Sequence, residues 1–176
     1  MLVHLKMLVV VPILVLMVGP QLPDSLIVTG KDFAFGVEEP SGWHGDTKNA
    51  AAIAANIVFL KDGESPQQFS ALIYVKIIAK TDEKVDKDLK ADMAGYKREH
   101  PSAEFRDFKA THPKYAVFPK LFVIPGQSFE YVAYVNPGKG KSWVFSVSMN
   151  VPGRAASVDE LRAYQAVLSS VALLTA

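Results

Sequence analysis

The sequence predicts an α+β fold, an antiparallel β-sheet with helices packed on it. Most of the chain after residue 30 consists of short runs in which apolar and polar residues alternate, which is the period of a half-buried strand. Two segments, 85–96 and 157–171, repeat their apolar residues every three or four positions, which is the period of an amphipathic helix. Because the links between successive strands are short, the strands are expected to pair antiparallel.

The first 21 residues are interpreted as a signal peptide or an N-terminal anchor. Lys6 is followed by residues 7–18, a run of twelve without a polar side chain. Such a run matches the apolar region of a signal peptide and is short for a spanning helix, which needs about 20 apolar residues. Pro20 makes a poor cleavage site in this segment. We expect an exported protein, periplasmic or extracellular, with a membrane-anchored form as the alternative and residues 22–176 as a single α+β domain.

Three strands are predicted in the first half of the domain. Phe33, Phe35 and Val37 alternate with other residues and lead into a turn at 40–43. Segments 55–60 and 71–79 follow, separated by turn residues. In the segment 71–79 every second residue is apolar, so these side chains should share one face of a sheet.

A charged amphipathic helix is predicted to follow. Four apolar residues recur at spacings of four, four and three in an otherwise charged segment: Val85, Leu89, Met93 and Tyr96. The helix should end at His100, because Pro101 disfavours the α conformation of the residue before it.

The second half of the domain predicts an antiparallel meander and a closing helix. Four extended runs, 104–111, 115–124, 129–135 and 143–149, are joined by short links. Ser157 and Glu160 have the spacing of a capping box, which marks the start of a helix. The apolar stripe expected on that helix is Leu161, Tyr164, Leu168 and Val171.

Composition and charge limit the classes of function. The chain has 19 Lys and Arg against 18 Asp and Glu, and removal of residues 1–21 takes away only Lys6, which leaves 18 of each. A neutral domain lacks the basic excess typical of nucleic-acid binding, so no nucleic-acid partner is expected. The chain has no cysteine, which excludes disulfides, thiol catalysis and the lipid-bearing cysteine of a lipoprotein.

The segment 136–145, NPGKGKSWVF, contains the Gly-Lys-Ser ending of a phosphate-binding loop. The loop motif requires a glycine at position 135, where the chain has Val135, and a helix after the serine, where the chain has a strand-like run. Pro137 and Gly138 instead have the positions of a type II turn. We therefore expect a hairpin and no nucleotide, with Lys139 and Lys141 as candidate contacts for an anionic partner.

The segment 43–46, Trp-His-Gly-Asp, contains the other candidate binding residues, Trp43 and His44. We interpret it as a surface turn with Trp43 folded onto the core. The alternative is an exported hydrolase or metal-dependent enzyme that uses His44 and Asp46 with a third group brought near by folding. No histidine pair has the spacing of a metal motif, so no metal, cofactor or catalytic residue is assigned.

The order of elements resembles the PsbP-like family over roughly residues 33–174. The features that carry the resemblance are the alternating phenylalanines before the Pro-x-Gly-Trp turn, the charged helix, the aromatic hairpin and the closing helix: Phe33, Phe35, Val37, Pro40, Gly42, Trp43, Glu99, 131–135, 143–148 and 169–171. The resemblance implies an α/β/α sandwich.

The resemblance also implies a noncatalytic domain. PsbP-like proteins are extrinsic subunits of photosynthetic complexes in plants and cyanobacteria, and exported proteins in other bacteria. No functional residue of the family is carried over to this chain. We accordingly expect an exported binding or assembly domain that acts through contacts with a partner protein.

Overall fold

The computed structural model describes residues 25–80 and 85–174. The strands in these residues are β1 (Ser25–Thr29), β2 (Ala34–Glu38), β3 (Trp43–Asp46), β4 (Ile57–Lys61), β5 (Leu72–Ala79), β6 (Glu104–Arg106), β7 (Ala116–Ile124), β8 (Ser128–Asn136), β9 (Trp143–Pro152) and β10 (Ala172–Leu173). The helices are α1 (Val85–Glu99) and α2 (Val158–Ser170), and a short 3₁₀ helix spans Ala50–Ile53.

The targeting prediction for residues 1–21 lies outside the described residues. Within residues 25–80 and 85–174, the structure contains no helix with the length and apolar character needed to cross a membrane.

The larger of two sheets has seven strands in the order β3-β4-β5-β9-β8-β7-β6, and the smaller has the order β1-β2-β10. Strands β6 to β9 pair antiparallel with their sequence neighbours, as the short links predict. Strand β9 also pairs antiparallel with β5, which places β9 in the middle of the larger sheet. The predicted fold class, an antiparallel sheet with helices packed on it, is confirmed.

Helix α2 and the smaller sheet cover one face of the larger sheet. Every second residue of β9 points to this face and is fully buried: Phe145, Val147, Met149 and Val151. The hydroxyl of Tyr164 on α2 donates a hydrogen bond of 3.0 Å to the carbonyl oxygen of Val147. Burial of apolar area on this face, at about 25 cal/mol per Å², supplies much of the stability of a domain without disulfides.

Helix α1 and the 3₁₀ helix cover parts of the opposite face. Val85 and Leu89 of α1 pack against a group of buried side chains from β7, β8 and β9: Phe122, Val132, Tyr134 and Val144. Ala50 of the 3₁₀ helix packs against Val58 and Leu72 of β4 and β5. Helix α1 and the 3₁₀ helix therefore lie over different strands of the same face, with open sheet surface between them.

The structure corrects the sequence predictions at three strands. The sequence predicted no strand at β1 or at the two-residue β10, both of which pair with β2. The 43–46 segment is β3 and pairs with β4, where a surface turn was predicted. A strand is compatible with this sequence because Gly45 allows a close approach: a Cβ built on it would lie 2.4 Å from Cδ1 of Leu26.

Two further differences concern length and orientation. The predicted run 104–111 forms a strand only to Arg106, because the chain then leaves the sheet edge and Phe108 packs 5.4 Å from the ring of Tyr131 on the α2 face. The capping box that starts α2 is present, with Ser157 and Glu160 bonded reciprocally. The predicted stripe is wrong at Leu161, which is exposed.

Candidate functional site

Three polar residues lie in a row on the middle strand of the larger sheet. They are Ser146, Ser148 and Asn150, on the face of β9 opposite to α2. Ser146 and Ser148 are buried, and their hydroxyl oxygens are 3.4 Å apart. A face used only for packing would carry apolar side chains here, because an interior polar group is costly unless it has partners. The polar row therefore marks a place where the sheet faces something other than packed side chains.

A polar cavity of about 170 Å³ lies over this row, between the strands and α1. Ser146 and Ser148 form part of its floor. The register explains its other residues, since Tyr74 of β5 lies opposite Ser148, and Tyr134 of β8 lies opposite Ser146. The remaining polar lining comes from β5, β8 and α1: Lys76, Glu130, Asp92 and Tyr96.

Tyrosine hydroxyls are hydrogen-bonded to both carboxylates of the polar cavity. The hydroxyl of Tyr74 donates to the half-buried carboxylate of Glu130. The hydroxyl of Tyr134 donates to Oδ2 of Asp92 over 2.9 Å, which connects β8 to α1. These contacts fix the side chains with their hydroxyl and carboxylate groups in the cavity.

Burial shifts the pKa values of these groups in one direction. Partial burial raises the pKa of the Glu130 carboxyl, although the hydrogen bond from Tyr74 and the charge of Lys76 oppose the shift. Burial raises the pKa of Tyr96 to about 12 and the pKa of Tyr74 well above its ordinary value. The two phenols are therefore neutral hydrogen-bond donors at physiological pH.

A second, apolar cavity of about 390 Å³ adjoins the polar one. Both cavities are lined by Tyr74 and Lys76, which places them side by side over β5. The apolar walls come from the 3₁₀ helix, the loop before β5 and the strands: Ala52, Ile53, Val58, Pro66, Phe69 and Leu72. We call the two adjoining cavities the α1-face groove, with an apolar end and a polar end.

The sequence candidates Trp43 and His44 lie on β3, outside the lining of the groove. Trp43 is 8% exposed and belongs to the core on the α2 face, as expected for this side chain. His44 is partly exposed, and its Nδ1 is 3.7 Å from Oδ1 of Asp62.

Asp46, which the enzyme alternative pairs with His44, accepts hydrogen bonds within its own loop. They come from the backbone N–H groups of Lys48 and Asn49, at 2.7 and 3.0 Å, and from the Asn49 side chain. These bonds lower the pKa of the Asp46 carboxyl, with the Asn49 backbone as the main cause. Among residues 25–80 and 85–174 no three His, Asp or Glu side chains converge in a way that could hold a metal ion.

Lys139 and Lys141 are exposed in the loop that joins β8 to β9. Gly138 has a φ of +114°, consistent with the third position of the predicted turn, and its N–H donates to Oδ1 of Asn136 over 3.1 Å. A strand, not a helix, follows Ser142. The hairpin is confirmed, while the contact of these lysines with an anionic partner stays a prediction.

None of the residues that line the polar end was predicted from the sequence to belong to a site. The pattern of 145–150, in which serine and asparagine alternate with apolar residues, is also that of an ordinary strand with one solvated face. The distinguishing signal is that β9 is the middle strand of seven, and this depends on the long-range pairing of β5 with β9.

Comparison with known proteins supports the fold assignment. The chain is similar to the solution structure of cyanobacterial PsbP (CyanoP) from Synechocystis sp. PCC 6803, with a TM-score of 0.51 and 13% sequence identity. The match covers 89% of this chain and 96% of that chain. No protein-family model and no curated protein matches the sequence. At this identity the likeness shows a PsbP-like fold alone, and a fold does not fix a function.

Proposed function

We propose that this chain is an exported, noncatalytic binding domain that holds a segment of a partner protein in the α1-face groove. The observation that carries the proposal is the polar row of Ser146, Ser148 and Asn150 on the middle strand. The hydroxyl groups of Ser146 and Ser148 bond each other, so the sheet keeps a polar surface at its centre without leaving these buried groups unpaired. A partner segment that enters the groove meets this polar row as a set of further hydrogen-bond partners.

The shape and chemistry of the groove favour a protein segment over a compact substrate. Two adjoining cavities of different polarity accept successive side chains of one chain, an apolar one at one end and a polar one at the other. The carboxylates of Glu130 and Asp92 are hydrogen-bonded to tyrosine hydroxyls, an arrangement suited to recognition. The noncatalytic role also agrees with what the PsbP-like resemblance implies.

Export is part of the proposal and rests on the sequence. Residues 7–18 have the length of the apolar region of a signal peptide, and the domain has no cysteine to be oxidised outside the cytoplasm. Fractionation and intact mass measurement test the location of the protein, periplasmic or extracellular, and the removal of residues 1–21.

Photocrosslinking in the native host tests the binding face. The full-length chain carries a photoreactive benzoylphenylalanine at Ile53, which lines the apolar end and is 39% exposed. The matched control carries the same residue at Val158, which is 72% exposed at the start of α2 on the opposite face. We expect one discrete crosslinked species at Ile53 and none at Val158, with the adduct in the envelope or the medium.

Two outcomes contradict the proposal. Crosslinking at Val158 without crosslinking at Ile53 would place the contact on the α2 face. Recovery of the unprocessed chain as a soluble cytosolic protein, measured by fractionation and intact mass, would contradict export.

A further inference from the structure

We infer that the polar end of the α1-face groove receives the guanidinium or ammonium group of a basic side chain on the partner segment, while a neighbouring apolar side chain fills the apolar end. The inference rests on the proposed function and names the chemistry of the partner.

The charges that line the polar end favour a cation. Two carboxylates, Glu130 and Asp92, face one amino group, that of Lys76, so the formal balance of the lining is negative. Glu130 is half-buried and Asp92 lies at the exposed rim, so attraction to a cation is screened less at the inner end than at the rim. An incoming cation therefore gains most when it reaches Glu130.

The aromatic side chains provide a second attraction for a cation. Nζ of Lys76 lies 4.9 Å from the centre of the Tyr74 ring, within the range of a cation–π contact. This contact within the chain shows that the Tyr74 ring can be approached by a positive charge. Tyr96 and Phe122 add aromatic rings to the same cavity.

The hydrogen-bonding groups also match a guanidinium. Each carboxylate accepts a tyrosine hydroxyl, and an ionised carboxylate has about four acceptor sites, so further N–H groups can be accommodated. The hydroxyls of Ser146 and Ser148 on the floor of the cavity can also accept hydrogen bonds. A planar guanidinium presents five N–H donors, which suits several acceptors at close quarters.

Titration with two small probes tests the inference. N-acetyl-arginine amide carries a single positive charge, and N-acetyl-citrulline amide has nearly the same shape without the charge. The amide resonances of the isotope-labelled full-length chain are followed by NMR while each probe is added. We expect saturable shifts at Tyr74, Ser146 and Ser148 with the arginine probe, and at least a fivefold weaker response with the citrulline probe.

Variants of the lining residues test the assignment of charges. Glu130→Gln should weaken binding of the arginine probe about tenfold, because a charge-assisted hydrogen bond is lost. Lys76→Met should strengthen it about threefold, because a competing cation is removed. A variant that merely disturbed the fold would not strengthen binding. Weaker binding of the arginine probe to Lys76→Met, or an equal response to both probes, would overturn the inference.

The apolar end is tested with a short peptide. Adding one leucine next to the arginine of the probe should strengthen binding, and replacing Ile53 by Asn, which adds no charge, should remove this gain without changing binding of the arginine probe itself. If the chain crosslinks at Ile53 in the host but the probes show no charge-dependent binding, the proposed function is supported and this inference is refuted. If neither the crosslink at Ile53 nor charge-dependent probe binding is observed, the proposed function and this inference are both refuted.

Discussion

Two glutamates on opposite faces of the larger sheet differ in the groups that compensate the charge of their carboxylates. Glu160, at the start of α2, is 2% exposed and contacts Nζ of Lys61 at 2.6 Å and the guanidinium of Arg154 at 2.7 Å. Glu130, on β8, is half-buried and accepts a hydrogen bond from the neutral hydroxyl of Tyr74. The first carboxylate is neutralised by its own chain, and the second is only partly compensated.

The pKa values move in opposite directions for this reason. The hydrogen bonds from Arg154, aided by Lys61 and opposed by burial, hold the pKa of Glu160 well below its usual range. Burial is the main influence on Glu130 and raises its pKa. Burial alone therefore does not identify a functional carboxylate, whereas burial without a dedicated cation suggests one.

The largest expected effect is the loss of the Glu160 charge. Glu160→Gln should lower the free energy of unfolding by about 2 kcal/mol, less than the roughly 3–5 kcal/mol of a fully buried broken pair, because Lys61 and Arg154 keep partial access to water. Glu130→Gln should change it by only about 0.5 kcal/mol, because the amide oxygen can still accept the hydrogen bond from Tyr74 and the cost of a partly buried charge is removed. Urea unfolding of both variants measures these free energies. Equal destabilisation would contradict the difference expected between the two glutamates.

The contributions of the two glutamates to the free energy of unfolding should also depend on pH in opposite directions. The lowered pKa of Glu160 contributes stability above its unfolded value of 4.5, and this is lost as the pH falls. The advantage of the wild type over Glu160→Gln should therefore shrink by about 1 kcal/mol between pH 7 and pH 4.

For Glu130 the sign is reversed, because a raised folded pKa favours the protonated carboxyl. The wild type should gain stability relative to Glu130→Gln as the pH falls from 7 towards 4.5. Unfolding curves at a series of pH values test both slopes, and slopes of the same sign would contradict the comparison.

A smaller effect is expected from the hairpin that joins β8 to β9, which carry Glu130 and the polar row. Gly138→Val should cost about 1 kcal/mol and lower Tm by about 2–4 °C, because a side chain is disfavoured at a φ of +114°. Lys141→Ala, in the same exposed loop, should change stability by less than about 0.5 kcal/mol. Binding of the arginine probe should be the same in both variants, which separates loss of stability from loss of the site.

The smallest effect is expected at the polar row itself. Ser148→Ala should change the free energy of unfolding by less than about 0.5 kcal/mol, because a hydroxyl that faces a cavity contributes little to packing. Calorimetry of the wild type and of Ser148→Ala measures this change. A loss above about 1.5 kcal/mol would mean that the Ser148 hydroxyl stabilises the fold, and that the α1 face, like the α2 face, serves packing.

Much of the fold follows from local sequence patterns. The capping box at Ser157 and the spacing of Val85, Leu89 and Met93 are properties of neighbouring residues, so they predict the helices directly. The short links likewise predict the meander of β6 to β9. Strand β10 forms through pairing with β2 near the other end of the domain, which no local pattern specifies.

The site was less predictable than the fold. Tyr74, Asp92 and Glu130 come from β5, α1 and β8, and each is unremarkable in its own segment. Their proximity depends on the register of β5 with β9 and of β8 with β9. His44 and Asp46 stood out because they are close in sequence, although Asp46 serves its own loop.

The ends of the larger sheet are formed by its shortest strands. Strand β3 has four residues and β6 has three, and Glu104 and Arg106 of β6 form an ion pair. An edge this short and charged gives another chain few backbone groups to pair with, so strand addition and aggregation through these edges are disfavoured. A long strand such as β9 is protected because it lies in the middle. Recognition across a face of the larger sheet is a mode of association that this arrangement leaves open.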